Sequence, residues 1–148
     1  DFRSEEYEIT YDEGTINERA FILTCANASQ YGNDAHIAPG ASMDDGLMNV
    51  SILKPLNALE IPQTTLQLFN RNIDKNSKMT TLLTRNLHIK RSRSGMMHVD
   101  GEPVNAENEI NVETIHGGLK VLAPHNDNHE KKRTDIENIF NSLTRWFN

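Results

Sequence analysis

The sequence predicts a mainly β chain: an antiparallel β-sandwich with two helices. Three observations predict it. Several short runs alternate apolar and polar residues with period two, turn chemistry separates those runs, and only two stretches show helical spacing.

The elements follow in order. Residues 5–11, Glu-Glu-Tyr-Glu-Ile-Thr-Tyr, set Tyr7, Ile9 and Tyr11 on one side and Glu6, Glu8 and Thr10 on the other. That is a half-buried strand. Asp12-Glu13-Gly14 is turn chemistry. Residues 18–26 are more apolar and predict one central strand, joined to the first through a loop of several residues. Residues 27–47 are polar and lack periodicity; a stretch of that length inside a compact domain is often functional. Residues 47–53 predict the next strand, ended by Pro55. A helix is predicted over 62–74, with Pro62 in its first turn and Leu66, Phe69 and Ile73 on one apolar face. Residues 79–91 carry a strand centred on Asn86–Lys90, and Arg91 to Gly95 form a basic turn. Met96–Val99 then leads into Asp100-Gly101-Glu102, where Pro103 opposes regular continuation. Residues 109–115 alternate cleanly, Gly117-Gly118 turns the chain, and 119–123 returns as a hairpin partner. A second helix is predicted over 130–147, with Ile136, Ile139, Phe140, Leu143 and Phe147 on one stripe. Six to eight strands are expected, in a unit spanning 1–124 followed by a linker and amphipathic helix over 125–148.

Composition excludes several classes of function. The chain has 148 residues, 36% hydrophobic and 24% charged, enough for one domain with a core. A net charge of −6 argues against a nucleic-acid binder that works by neutralising phosphates. Cys25 is the single cysteine, so no intrachain disulfide forms, and a reducing compartment fits. No apolar run reaches the ~20 residues that span a bilayer, and no signal-peptide pattern opens the chain. The expected location is cytoplasmic, with room for peripheral contact at a membrane.

Two acidic centres draw the chemistry. In an extended chain, Asp100 and Glu102 would share one side, and two neighbouring carboxylates can take a proton from a hydroxyl or bind a cation. The plain alternative is that Asp100-Gly101 simply makes a hairpin turn. Asp44-Asp45-Gly46, at the end of the long loop, could offer oxygen ligands to a hard cation such as Mg²⁺, or equally make a turn into the next strand. The six histidines show no zinc spacing and read as surface residues. Lys90, Arg91 and Arg93 read as a solvated basic run. Neither GxGxxG nor GxxxxGK[ST] occurs, so nothing here is ready to cradle nucleotide phosphates.

Taken together these segments resemble a known family. Phe-Ile-Leu-Thr-Cys-Ala-Asn (21–27), Tyr-Gly-Asn (31–33), Ile-Ala-Pro-Gly-Ala-Ser-Met-Asp-Asp-Gly-Leu (37–47) and His-Val-Asp-Gly-Glu-Pro (98–103) occur in the order found in the C-terminal half of the diacylglycerol kinase catalytic family, which includes bacterial lipid kinases and sphingosine kinases. The resemblance covers about residues 18–124. It implies a β-sandwich of the NAD kinase/diacylglycerol kinase type that helps bind a lipid and supplies catalytic acid groups. It implies Asp100 and Glu102 as proton acceptors for the lipid hydroxyl, and Ser42, Asp45 and Leu47 as Mg²⁺ ligands, partly through carbonyls. Its expected partners are a lipid substrate, ATP held by an N-terminal nucleotide-binding domain, and a membrane surface; nucleic acid is not among them, and a homodimer is compatible. Two departures stand out. Tyr31-Gly32-Asn33 replaces a more glycine-rich form, and the family's Gly-Gly-Asp-Gly-Thr motif is absent. The expectation is therefore a domain separated from its nucleotide-binding half and inactive alone. Two alternatives stay open: a non-catalytic ligand- or protein-binding sandwich, and a kinase of this architecture with a non-lipid acceptor, as in NAD kinases.

Overall fold

The structure, a computed structural model, describes residues 4–122. Nine strands and one α-helix lie within them. β1 (Glu5–Tyr11) and β2 (Gly14–Ala20) form a hairpin. β3 (Ile22–Ala26), β4 (Met48–Leu53) and β5 (Met79–Thr84) form a second sheet, with α1 (Glu60–Phe69) between β4 and β5. β6 (Asn86–Arg91) returns to β1, and β9 (Glu109–Glu113) pairs with β6. The sheets run β2-β1-β6-β9 and β3-β4-β5, and every pairing is antiparallel. β7 (Gly95–Val99) and β8 (Glu102–Ala106) make a separate two-stranded hairpin between β6 and β9.

The core lies between the two larger sheets. Ile9, Ala20, Leu87 and Ile89 come from one, and Met48, Val50 and Ile52 from the other; Tyr7, Tyr11, Ile16, Leu23, Leu82, Ile110 and Val112 close around them. This is the predicted sandwich, and the alternation of Tyr7, Ile9 and Tyr11 points into it. β4 is buried on both faces. Its second face lies under the long loop, where Ile37 and Ala38 cluster with Ala26 and the Ser51 hydroxyl donates to the Ile37 carbonyl (3.0 Å).

Four sequence expectations change. Residues 18–26 are not one strand. Ala20 pairs with Glu5 in the first sheet and Ile22 with Leu53 in the second, so the chain changes sheets at Phe21. Period-two reading cannot see such a corner when both sides are apolar. Arg85 is a matching corner between β5 and β6. The first hairpin turns through Asp12-Glu13 alone, because Tyr11 already pairs with Gly14. Residues 119–122 form no strand; Leu119, Val121 and Leu122 are exposed and bury nothing that would offset the entropy of pairing. Pro103 does not end the chain's regularity: it sits inside β8 opposite His98, in a two-stranded sheet whose edge tolerates a residue without an N–H. The predicted helix at 130–147 lies outside the described residues.

α1 starts two residues before Pro62 because Asn57 and Glu60 cap each other. The Asn57 side-chain carbonyl accepts from the Leu59 and Glu60 amides (3.0 and 3.1 Å), while the Glu60 carboxylate accepts from the Asn57 amide (2.8 Å). It stops at Phe69, where Arg71 turns left-handed (φ 57°) and the Asn72 amide donates to the Gln67 carbonyl.

Asp12 fastens the β1–β2 turn to the corner at Arg85. Its carboxylate accepts from the Arg85 amide (2.7 Å) and the Asn86 side chain (3.1 Å), and its own amide donates to the Thr84 hydroxyl (3.1 Å). The Arg85 N–H, then the Asn86 amide, hold this carboxyl below its usual 3.8. A depressed carboxylate stabilises the fold above the unfolded value and loses that contribution as pH falls through the folded one. Urea midpoints of wild type and Asp12→Asn should therefore differ most near neutrality and converge below pH 3.8. A gap that is constant with pH would show that the charge of Asp12 contributes nothing.

Candidate functional site

The β7–β8 hairpin carries the first acidic centre at its tip. Val99 pairs with Glu102, leaving Asp100 and Gly101 as the two central residues of the turn. Both have positive φ, 49° and 90°, as a type I′ turn requires, and Asp-Gly is a favoured pair for it. The extended arrangement with Asp100 and Glu102 on one strand face is therefore not adopted. Instead Asp100 leads the turn and Glu102 opens β8, both exposed. Along it the hairpin presents exposed Met96 and His98 on one face and Val99 and Val104 on the other.

The hairpin is tied to the sandwich by Arg91. One guanidinium nitrogen donates to the carbonyls of Gly95 and Ala106 (both 2.8 Å), the first residue of β7 and the last of β8. The Arg91 Nε donates to the Glu107 carbonyl (3.2 Å), and its backbone amide to the Asn108 carbonyl (2.9 Å). The sequence placed Arg91 in a solvated basic run. It is buried because it alternates inward with Leu87 and Ile89, opposite Tyr7, and satisfies carbonyls at the hairpin's neck. Arg93 is exposed and pairs with Glu5 (3.1 Å), while Lys90 approaches Glu109 (3.7 Å).

The second acidic centre closes the loop between β3 and β4. That loop begins with a small turn in which Asn33 and Asp34 take positive φ (47° and 60°), and Gly32 bridges Ala35. Farther on, the Ser42 hydroxyl donates to the Asp44 carboxylate, and the Leu47 amide donates to Asp45 Oδ1 (2.9 Å). Asp44 and Asp45 are exposed. Ser42 and Asp44 border a cleft of about 550 Å³ that Ala28, Ser29 and Gln30 line from the other arm of the loop. Among the described residues no group of three or more His, Cys, Asp or Glu side chains could hold a metal ion. The donor set offered here is thus one or two carboxylates beside carbonyls and a hydroxyl. That suits Mg²⁺, which keeps several of its waters, better than zinc.

Two features of this loop were missed in the sequence. His36 is buried rather than at the surface, with its Nε2 accepting from Arg71 Nε (3.1 Å). His116, beyond β9, lies against Gly46. A Cβ built on Gly46 would stand 2.4 Å from the His116 ring nitrogen, and Gly46 has φ +73°. Gly46→Ala combines a left-handed backbone, which costs an L residue about 1–2 kcal/mol, with displacement of that ring. A loss of about 2 kcal/mol or more is expected in urea unfolding. Adding His116→Ala should recover only the steric share. A neutral Gly46→Ala would mean the loop adapts freely.

Comparison with known proteins bears on the fold and the family. Residues 1–123 match the family model for the YegS C-terminal NAD kinase beta sandwich-like domain. Over 61 residues the chain is 36% identical to a Shewanella frigidimarina protein described as "Probable lipid kinase YegS-like", covering 41% of this chain and 20% of that one. A Bacillus anthracis structure described as a "putative diacylglycerol kinase" is similar with a TM-score of 0.60 at 17% identity, over 77% of this chain and 37% of that one. A diacylglycerol kinase structure from the same organism gives 0.55 at 13% identity, over 76% and 41%. At such identities the structural likeness shows the fold, and the chain spans a fifth to two fifths of these proteins' lengths. The match over residues 1–123, on a β-sandwich of the fold described above, makes this chain a member of the YegS C-terminal NAD kinase beta sandwich-like domain family, a lipid kinase-like C-terminal domain.

Proposed function

We propose that this domain is the acceptor side of an ATP-dependent lipid kinase whose nucleotide-binding half is a separate domain. Asp100, assisted by Glu102, accepts the proton of the lipid hydroxyl as its oxygen attacks the γ-phosphorus of ATP. The new oxygen–phosphorus bond forms, the bond from the γ-phosphorus to the β,γ-bridging oxygen breaks, and ADP leaves carrying that oxygen and its electron pair. Phosphoryl transfer asks little more of the protein than position, charge and one base. Asp45, with Ser42 and the Leu47 carbonyl, would hold a Mg²⁺ ion, which when bound neutralises phosphate charge. The second oxygen of Asp45 accepts no hydrogen bond from the described residues and is available for that purpose.

One observation carries the choice of acceptor. The carboxylates at the hairpin tip stand next to exposed Val99, with Met97 and exposed Val104 on the same face of the hairpin, an apolar strip suited to an acyl chain. A dinucleotide acceptor would call for polar and aromatic walls. The test uses the protein that joins this domain to its nucleotide-binding half, with γ-labelled ATP and a panel of diacylglycerol, a sphingoid base and NAD. Label should enter the lipid fraction, and the 148-residue chain alone should transfer none. Label in NAD alone would overturn the lipid reading.

A further inference from the structure

The turn that follows β9 reaches back to the acidic loop. The Gly118 amide donates to the Ile115 carbonyl (3.1 Å), and Gly117 takes φ +66°. Residues 115–118 therefore form a turn whose third residue is left-handed, a place that glycine suits. His116 is its second residue. The turn is anchored just after β9, where the Thr114 amide donates to the Arg85 carbonyl (2.9 Å). The Arg85 amide in turn donates to the Asp12 carboxylate (2.7 Å). A bonded corner of the sandwich thus fixes where the imidazole can go.

The imidazole goes onto Gly46. His116 Nδ1, Cγ and Cβ all lie within 3.1 Å of the place where a Gly46 Cβ would stand. Gly14, Gly32, Gly101 and Gly117 also have positive φ, and the same place beside each of them is open. Gly46 is buried, although Asp44 and Asp45 before it are exposed. It is also the middle of a closed turn, because the Leu47 amide donates to Asp45 Oδ1 (2.9 Å). A glycine in that position is free to leave φ +73° for other conformations. When it does, the Leu47–Asp45 bond opens and the carboxylate loses its fixed relation to the Leu47 carbonyl. The His116 ring stands over the one residue of this turn that has no side chain to hold it.

We propose that His116 is a positioning residue for the acidic loop: its ring holds Gly46 left-handed, so that Asp45 and Leu47 keep the arrangement a Mg²⁺ ion requires. This rests on the reading of that loop as a Mg²⁺ site, and it adds a residue from outside the loop on which the site depends. The ring acts as a wedge. Its volume matters, and neither its proton nor its lone pair is used. Residues that orient a metal's ligands are worth about 10–100-fold in metal affinity.

The experiment is a Mn²⁺ titration followed by electron paramagnetic resonance, on the protein that joins this domain to its nucleotide-binding half, without nucleotide. His116→Ala should weaken Mn²⁺ binding about 10–100-fold. His116→Phe keeps a ring over Gly46 and should bind like wild type. In turnover, His116→Ala should raise the Mg²⁺ concentration needed for half the maximal rate and leave KM for the lipid unchanged. A second readout needs no metal. Hydrogen exchange at the Leu47 amide should accelerate in His116→Ala and return to the wild-type rate in His116→Phe, with the amides of β4 still protected. Unchanged Mn²⁺ affinity or unchanged Leu47 exchange in His116→Ala would overturn the proposal. Rescue by His116→Gln and not by His116→Phe would overturn the wedge by assigning the effect to a ring nitrogen. The two readings fail separately. Mn²⁺ binding that Asp45→Asn abolishes and His116→Ala leaves intact removes the wedge alone. A wild-type protein that binds no Mn²⁺ removes the Mg²⁺ reading and reduces His116 to a packing contact.

Discussion

Asp100→Asn, in the protein that joins this domain to its nucleotide-binding half, is expected to lower kcat about 10²–10⁴-fold, the span of a positioned general base. That corresponds to about 3–5 kcal/mol of transition-state stabilisation. The substitution separates chemistry from fold because of the backbone at this position. Asp100 has φ 49°, and asparagine enters the left-handed region as readily as aspartate does. Asn-Gly is moreover a preferred type I′ pair. The variant keeps the hairpin and loses only the carboxylate. Asp100→Ala would confuse the two by adding strain. KM should change little, since the base acts on the reacting proton rather than on ground-state binding. Glu102→Gln should have a smaller effect if Asp100 is the acceptor, and the larger one if the roles are exchanged. Undiminished turnover in both variants, with unchanged unfolding, would reduce Asp100-Gly101 to a turn and leave a non-catalytic sandwich as the better account.

Arg91→Ala should destabilise the domain by about 3 kcal/mol. Its guanidinium donates three hydrogen bonds to the carbonyls of Gly95, Ala106 and Glu107. Bonds from a charged donor are worth about 1.5–3 kcal/mol each, and truncation also leaves part-buried carbonyls without a partner. The sum is not additive, because water can enter the vacated neck. Arg91→Lys should fall between, since an ammonium cannot reproduce the planar fork that serves two carbonyls at once. Urea unfolding measures the loss. Hydrogen exchange locates it, because amides of β7 and β8 should open well before those of β1 and β6. If the kinase reading holds, Arg91→Lys should also lower kcat through loss of position, with the pH profile unmoved because the base itself is intact. Exchange in β7 and β8 unaffected by Arg91→Ala would show that the neck holds without the clamp.

The sequence disclosed those parts of the fold that neighbouring residues specify. Alternation in 5–11 and 109–115 marked β1 and β9, the latter ending two residues earlier at Glu113, and Asp100-Gly101 marked a turn. Pro55 marked a strand end, and the loop at 27–47 stood out by its lack of period. Each is a property of a few consecutive residues. The candidate site was legible to the same depth: its two acidic centres could be read, but not their conformation. Asp100 and Glu102 looked like neighbours on one strand face, and the turn put them in different local geometries.

What the sequence could not disclose depends on partners far along the chain. Arg91 reads as solvated until carbonyls at 95, 106 and 107 surround it. Gly46 reads as a turn residue until His116 lies against it. The run from 18 to 26 looks continuous until Ala20 and Ile22 pair in different sheets. Leu66 and Phe69 look like core until Thr64 and Leu68 take the inward side of α1 and Asn76 satisfies Thr64 and Gln67 there. The sequence by itself determined the β class, most element positions and the residues capable of chemistry, since period and turn preference are written in adjacent side chains. Only the tertiary structure decided which face of α1 is inward and that Arg91 is buried, because burial there is settled by whichever distant groups satisfy a polar side chain or cover an apolar one.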